Sequence, residues 1–263
     1  MRRLAKLLAA SAIAGGALLH LAAPSGAAPS NAAPSKAAPS NAAPSKAVPS
    51  GAAASKAAPS HAVERSRPLP QGVDVSTYDR GVDWGGGRLA FGIAKATEGT
   101  GHDDATFAAN WAKIRQNGLV RGAYHYGHPK NDPVREADHF LSAVTSAGLQ
   151  PGDLLMLDLE TTDGRSDHQV NAWAKRWLEH VQRKTGVKAF FYSSWSFAQE
   201  HGDGLGGYPL WVAHYGKAPG RVTAPSPWKQ WTIHQYASTD HDHNVSRLAA
   251  DQLRGLGYNP SHR

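Results

Sequence analysis

Leu154-Leu155-Met156-Leu157-Asp158-Leu159-Glu160 is the stretch on which the fold turns. Its first four residues are apolar on both faces, the pattern of an interior strand of a parallel sheet, which is covered on both sides. The run then ends in two carboxylates two residues apart. With a side-chain period of two, Asp158 and Glu160 share a face while Leu159 points away.

Working outward, similar short runs recur at Gly72–Ser76, Phe91–Ala96, Arg121–Tyr126, Ala189–Ser193, Leu210–His214 and Thr232–Tyr236. Helical patterns lie between several of them, over Asp104–Asn117, Pro133–Ala147, His168–Thr185 and Trp195–Glu200. Asp132 precedes Pro133 as an N-cap before a first-turn proline, and Gly148 and Gly186 are stop signals. Strand–helix alternation at this spacing predicts an α/β fold with a parallel sheet, closed as a barrel or doubly wound. After Tyr192 the intervals are too short for full helices, so a barrel would be irregular in its second half.

The core-forming residues are all in one part of the chain. All 22 aromatic residues fall between Tyr78 and Tyr258, so residues 70–263 are expected to form one domain. The first 69 residues lack large rings to bury against the entropy of ordering. Met1-Arg2-Arg3-Leu4-Ala5-Lys6, an apolar stretch to about Ala23 and the small residues Ser25-Gly26-Ala27 form the pattern of a secretory signal peptide over residues 1–27. A membrane anchor is the competing reading, disfavoured by the Ala- and Gly-rich, marginal length of the run. From Ala22 to His61 the chain repeats AAPSx-type pentapeptides eight times, and residues 28–69 are therefore expected to be a disordered, polyproline-like spacer. The lysines at 36, 46 and 56 raise the further expectation that the spacer lies against anionic polymers.

Net charge is +7, and all of it is N-terminal: residues 1–69 carry eight Lys and Arg against Glu64 alone, while residues 70–263 carry twenty basic and twenty acidic side chains. A neutral, Trp- and Tyr-rich domain suits carbohydrate stacking and argues against nucleic acid as partner. The absence of cysteine excludes disulfides, thiolate metal sites and thiol nucleophiles.

In parallel α/β architectures reactive groups sit at the carboxyl ends of the strands. Asp74 ends the first run, Tyr124-His125-Tyr126 the third and Asp158-Leu159-Glu160 the fourth. Trp211 through Tyr215 end the sixth, Gln235-Tyr236 the seventh, and Asp242 follows. Neighbouring carboxylates in a confined site do not both ionise easily, so Asp158 and Glu160 are expected to retain a proton near neutral pH, as a general acid for glycosidic cleavage must. Lys95 lies in an apolar strand, where a carboxylate of the site floor is its expected partner. His125 is expected to be a hydrogen-bonded structural histidine.

Taken together, Gly72-Val73-Asp74-Val75-Ser76, Lys95-Ala96-Thr97-Glu98-Gly99, Gly122-Ala123-Tyr124-His125-Tyr126, Asp158-Leu159-Glu160, Leu210-Trp211-Val212-Ala213, and Gln235-Tyr236 with Asp242-His243-Asn244 resemble, in order, the family 25 glycoside hydrolases, the N,O-diacetylmuramidases. The resemblance covers about residues 70 to 258. It implies an irregular TIM-like barrel of (β/α)5(β)3 type, and a muramidase that cuts the β-1,4 bond between N-acetylmuramic acid and N-acetylglucosamine in peptidoglycan. It also implies roles: Glu160 as the proton donor, Asp158 assisting by orienting the N-acetyl group or by electrostatic stabilisation, and Asp74 and Asp242 completing an acidic floor. Asp242 is preferred to Asp240 on its Asp-x-Asn spacing, since Thr239–Asn244 departs from the family's apolar approach. Tyr126, Trp211, Tyr215 and Lys95 are the expected substrate contacts. No cofactor is implied, and a secreted monomer without stable membrane association is expected.

Three other readings compete. His241-Asp242-His243 suggests a zinc amidase, although no HExxH pattern is present. A wall-binding module without catalysis would use the aromatics alone. A chitinase-like enzyme shares a DxE pair but needs a longer DxxDxDxE signature, which this sequence lacks.

Overall fold

Strand β5 (Leu154–Asp158) is buried along its whole length in the computed structural model, which describes residues 68–79 and 81–262. It pairs in parallel with β4 (Val120–Tyr126) on one side and β6 (Phe190–Ser194) on the other, as its two apolar faces require. The remaining strands are β1 (Gln71–Val75), β2 (Phe91–Glu98), the two-residue β3 (His102–Asp103), β7 (Leu210–Ala213), β8 (Ile233–Ser238) and β9 (Asp242–Ser246).

The sheet runs β1-β9-β8-β7-β6-β5-β4-β2-β3, and β1 also pairs with β2, which closes eight strands into a barrel and leaves β3 as a flap on β2. Pairings from β1 through β2, β4, β5, β6 and β7 to β8 are parallel, whereas β9 is antiparallel to both β8 and β1. Helices α1 (Phe107–Gln116), α2 (Pro133–Ser146), α3 (Asp167–Thr185) and the short α4 (Trp195–His201) follow β3, β4, β5 and β6. The later strands connect without such helices, apart from the terminal α5 (Ala250–Arg254). The irregular α/β barrel expected from the sequence is thus the fold.

Side-chain alternation sorts the core into two layers. Leu154 and Met156 point into the barrel with Phe91, Ile93, Tyr124, Tyr192, Trp211 and Ile233. Leu155, Leu157 and Leu159 point outward onto the helices, against a cluster that includes Trp173, Trp177 and Val181. Gly72 is required for this filling, because a Cβ there would lie 2.3 Å from the ring of Phe91. The helix signals act as expected: Asp132 accepts hydrogen bonds from the amides of Val134 and Arg135, and Gly186 caps α3 at φ 78°.

Strand β9 was not among the expected apolar runs, because its inward positions Asp242, Asn244 and Ser246 are polar. The signal-peptide and repeat expectations, through residue 67, lie outside the described residues. Among the described residues no helix is long and apolar enough to cross a membrane.

Candidate active site

The polar floor is built by the register of β1 and β9. Their antiparallel pairing sets Asp74 opposite Asp242 and Gly72 opposite Asn244, while β8 sets Gln235 opposite Asn244. Asp74 Oδ2 accepts from Gln235 Nε2 at 2.8 Å and from Asn244 Nδ2 at 2.7 Å, all three side chains being buried. Gln235 Oε1 in turn accepts from the hydroxyls of Tyr192 (2.9 Å) and Tyr215 (2.6 Å). Asn244 Oδ1 accepts from the indole N–H of Trp211 at 2.8 Å. Every amide and phenol of this floor therefore has a defined orientation, which an apolar barrel interior demands of buried polar groups. Burial first, and then the surrounding carboxylates, push the hydroxyls of Tyr124, Tyr192 and Tyr215 above the usual phenol range. All three stay neutral, and those of Tyr192 and Tyr215 donate to Gln235.

Asp158 points into the same mouth from the end of β5. Its carboxyl is raised well above the ordinary carboxylate range, chiefly by burial, next by the charge of Glu160, with a hydrogen bond to Glu160 and the charge of Asp74 adding to it. Lys95 opposes the rise. Asp158 Oδ1 is buried without a hydrogen-bond partner. Asp158 therefore holds its proton more tightly than a free carboxyl, in a site open to solvent on the side of half-buried Glu160. The two carboxyls are hydrogen-bonded to each other, but strand alternation is not what places Glu160, because β5 ends at Asp158 and Glu160 lies on the loop beyond it.

A raised carboxyl has a stability consequence. A group that holds its proton more tightly in the folded state stabilises the fold below its unfolded pKa, and that stability is lost as pH rises through the folded value. Asp158→Asn, which keeps the shape without the charge, is therefore expected to raise Tm by a few degrees at neutral pH while it lowers activity. The gain should vanish on acidification towards about pH 4, the ordinary carboxylate range. Thermal melts across pH would decide it, and an Asn variant less stable than wild type at neutral pH contradicts it.

Lys95 is buried, but its partner is Glu98 rather than a floor carboxylate: Nζ lies 2.5 Å from Glu98 Oε2 and 5.1 Å from the centroid of the Tyr126 ring. Residues three apart on a regular strand face opposite ways; the bulge in β2 between Lys95 and Thr97 brings these two together. Glu98 also bonds His128 Nε2 at 3.1 Å. Burial alone would raise the Glu98 carboxyl, but its bonds to Lys95 and His128 outweigh burial and lower it.

Tyr126 and Tyr215 stand at the mouth, Tyr215 being 47% exposed. Trp211 requires correction as a stacking platform: it is 1% exposed, packed inside the barrel against Tyr192 at 4.2 Å, with no ring face open to a ligand. Its contribution is to orient Asn244. Sequence reasoning missed Tyr78, 66% exposed on the loop after β1, and it missed His128 and Asp163. Tyr78 carried a signal, as a large ring just beyond a strand carrying Asp74.

His125 is structural as expected, held between Thr97 Oγ1 and Glu136 Oε2, each at 2.8 Å. The His241-Asp242-His243 segment does not converge on a metal position. Asp242 turns inward to the floor, while His241 and His243 turn to the exposed carboxylate of Asp240 at 3.2 and 2.7 Å. Among the described residues the group with ligand atoms within 4.8 Å of one another is Asp167, Glu200 and His201, on α3 and α4 rather than at the mouth.

A closed α/β barrel with two carboxyl groups side by side among aromatic side chains at the carboxyl ends of its strands is the arrangement of a glycoside hydrolase. The chain belongs to the glycosyl hydrolases family 25, whose model matches residues 73–245. It is 37% identical over 200 residues to the uncharacterized protein YegX of Escherichia coli, covering 70% of this chain and 72% of that one. It is 32% identical to an N,O-diacetylmuramidase of Arthroderma benhamiae, covering 70% of this chain and 85% of the relative. The crystal structure of a lysozyme from Streptomyces coelicolor superposes with a TM-score of 0.65 at 28% identity, covering 73% of this chain and 98% of that one.

Proposed function

We propose that the chain is a muramidase of bacterial peptidoglycan, cleaving the β-1,4 bond between N-acetylmuramic acid and N-acetylglucosamine. The observation that carries this reading is the buried Asp158 carboxyl, held well above the ordinary carboxylate range by burial and by the charge of half-buried Glu160 beside it. Glu160, on the solvent side, donates a proton to the departing glycosidic oxygen, so that the sugar leaves as an alcohol rather than an alkoxide. Asp158, with an unpartnered Oδ1, accepts the N–H of the substrate's acetamido group and aligns its carbonyl at the anomeric carbon, or steadies the positive charge that develops there. Asp74 and Asp242 fix the floor beneath. Tyr126, Tyr215 and Lys95 line the approach. The muramidase and lysozyme names of the relatives support the same substrate.

The reading includes export of a monomer that acts outside the cytoplasm, on the strength of the N-terminal leader pattern. N-terminal sequencing of protein from culture medium checks that part: a mature chain beginning near Ala27 or Ala28 is expected.

Mass spectrometry of fragments released from purified peptidoglycan tests the chemistry. New muramic acid reducing ends are expected. Glucosamine ends would make the chain a glucosaminidase, and wall binding without any new ends would make it a binding module; either result overturns the proposal.

A further inference from the structure

Glu160 lies on a segment held at two points. On one side Leu159 is fixed to β6: its amide donates to the Tyr192 carbonyl at 3.0 Å, and its carbonyl accepts from Ser193 Oγ at 2.5 Å. On the other side the segment ends at Asp163, a non-glycine residue at φ 47°, a left-handed conformation that aspartate adopts more readily than most residues and that surrounding contacts hold here. The strongest of those contacts comes from another loop. Asp163 Oδ2 bonds His128 Nδ1 at 3.0 Å, with the Lys130 amide at 3.5 Å and Lys130 Nζ at 4.0 Å as weaker neighbours.

His128 has a second arm. Its Nε2 bonds Glu98 Oε1 at 3.1 Å, and Glu98 is anchored on the barrel wall by Lys95 at 2.5 Å. Its own backbone is fixed by Glu136 Oε2, which accepts from the His128 amide at 3.1 Å. The ring therefore has a carboxylate at each nitrogen, Asp163 at Nδ1 and Glu98 at Nε2. One imidazole ring thus joins the ends of the three adjacent strands β2, β4 and β5 across sequence separations of 30 and 35 residues.

We propose that His128 is a positioning residue, which holds the Glu160 segment against the barrel wall by clamping Asp163 to Glu98. The proposal rests on the assignment of Glu160 as proton donor. The Leu159 anchor fixes where the segment leaves the barrel, and the Asp163 anchor fixes its direction; loss of the second lets Glu160 swing without disturbing the floor that binds the sugar. The expected signature is a fall in kcat with KM nearly unchanged. General loosening of the mouth would raise KM as well.

The experiment measures kcat and KM on soluble peptidoglycan fragments, with Tm, for wild type, His128→Ala, Asp163→Asn, the double variant and Glu160→Gln. Asn tolerates positive φ, so Asp163→Asn removes the charged anchor and keeps the backbone. His128→Ala is expected to lower kcat about 10- to 100-fold with KM within about threefold, the scale of effect of a displaced catalytic group. Asp163→Asn should fall in the same direction, and the double variant within about twofold of His128→Ala, because both residues serve one clamp. Wild-type kcat in Asp163→Asn, or losses that multiply in the double variant, overturns the clamp; if His128→Ala does not fold, Asp163→Asn alone decides it. Turnover retained by Glu160→Gln overturns the donor assignment and the clamp with it, whereas an inactive Glu160→Gln beside a fully active Asp163→Asn overturns the clamp alone.

Discussion

Glu160→Gln is expected to reduce turnover on peptidoglycan by about 10²- to 10⁴-fold, the usual contribution of a positioned general acid. A departing sugar oxygen is a poor leaving group until it is protonated, and glutamine is close to glutamate in shape but has no acidic proton to give. The floor of Asp74, Gln235 and Asn244 does not include Glu160, so sugar binding should survive the change. Removing the Glu160 charge also takes away the second-largest cause of the raised Asp158 carboxyl, so the variant should melt at or slightly above the wild-type temperature. Sedimentation with purified walls, reducing-end release and thermal melts together isolate the chemical step. Residual turnover within tenfold of wild type would move the donor role to another group, and lost binding with lost turnover would mean that Glu160 holds substrate rather than protonates it.

What could be seen in the sequence, and what could not, follows from the range of the interactions. Leu154–Leu157 announced a strand covered on both faces, and Asp158 at its end followed from local side-chain alternation, whereas Glu160 reaches the mouth from the loop beyond the strand. Strand β9 escaped the apolar pattern because it supplies polar groups to the interior; Asp242 was found by the resemblance and by its spacing to Asn244, not by hydropathy. Trp211 was misjudged for a related reason. In Leu210-Trp211-Val212-Ala213, apolar on both faces, nothing local tells which residues point into the barrel, and Trp211 points in. The Lys95–Glu98 contact depends on a bulge, and the His128 clamp on loops that meet only once β2, β4 and β5 pair side by side. Neither leaves a periodic trace in the chain.

The same packing buries one carboxyl group beneath the mouth, and removing it should be among the most destabilising single changes in the domain. Glu136 on α2 is completely buried and accepts from His125 Nε2 at 2.8 Å, the His128 amide at 3.1 Å and Asn131 Nδ2 at 2.7 Å. Burial lowers the His125 pKa and Glu136 only partly offsets it, so His125 is neutral: it donates from Nε2 to Glu136 and accepts at Nδ1 from the Thr97 hydroxyl. Glu136→Ala therefore strands three donors and leaves a cavity beside Trp177, which stacks on His125 at 5.6 Å. A buried donor left unsatisfied costs about 1–3 kcal/mol, so three of them, partly relieved by relaxation, cost about 3–5 kcal/mol. At roughly 2–4 °C per kcal/mol for a domain of this size, Tm should drop by about 10 °C. Glu136→Gln should lose less, because the amide oxygen can still accept from one or two of the donors, and the ordering Ala below Gln below wild type is part of the expectation. Because the His128 amide is among the stranded groups, activity measured well below Tm should fall too, through displacement of the clamp. A drop in Tm of less than about 3 °C in the Ala variant, under one kcal/mol or little more, would mean that the surrounding donors find other partners and that the network orients His128 without supporting the fold.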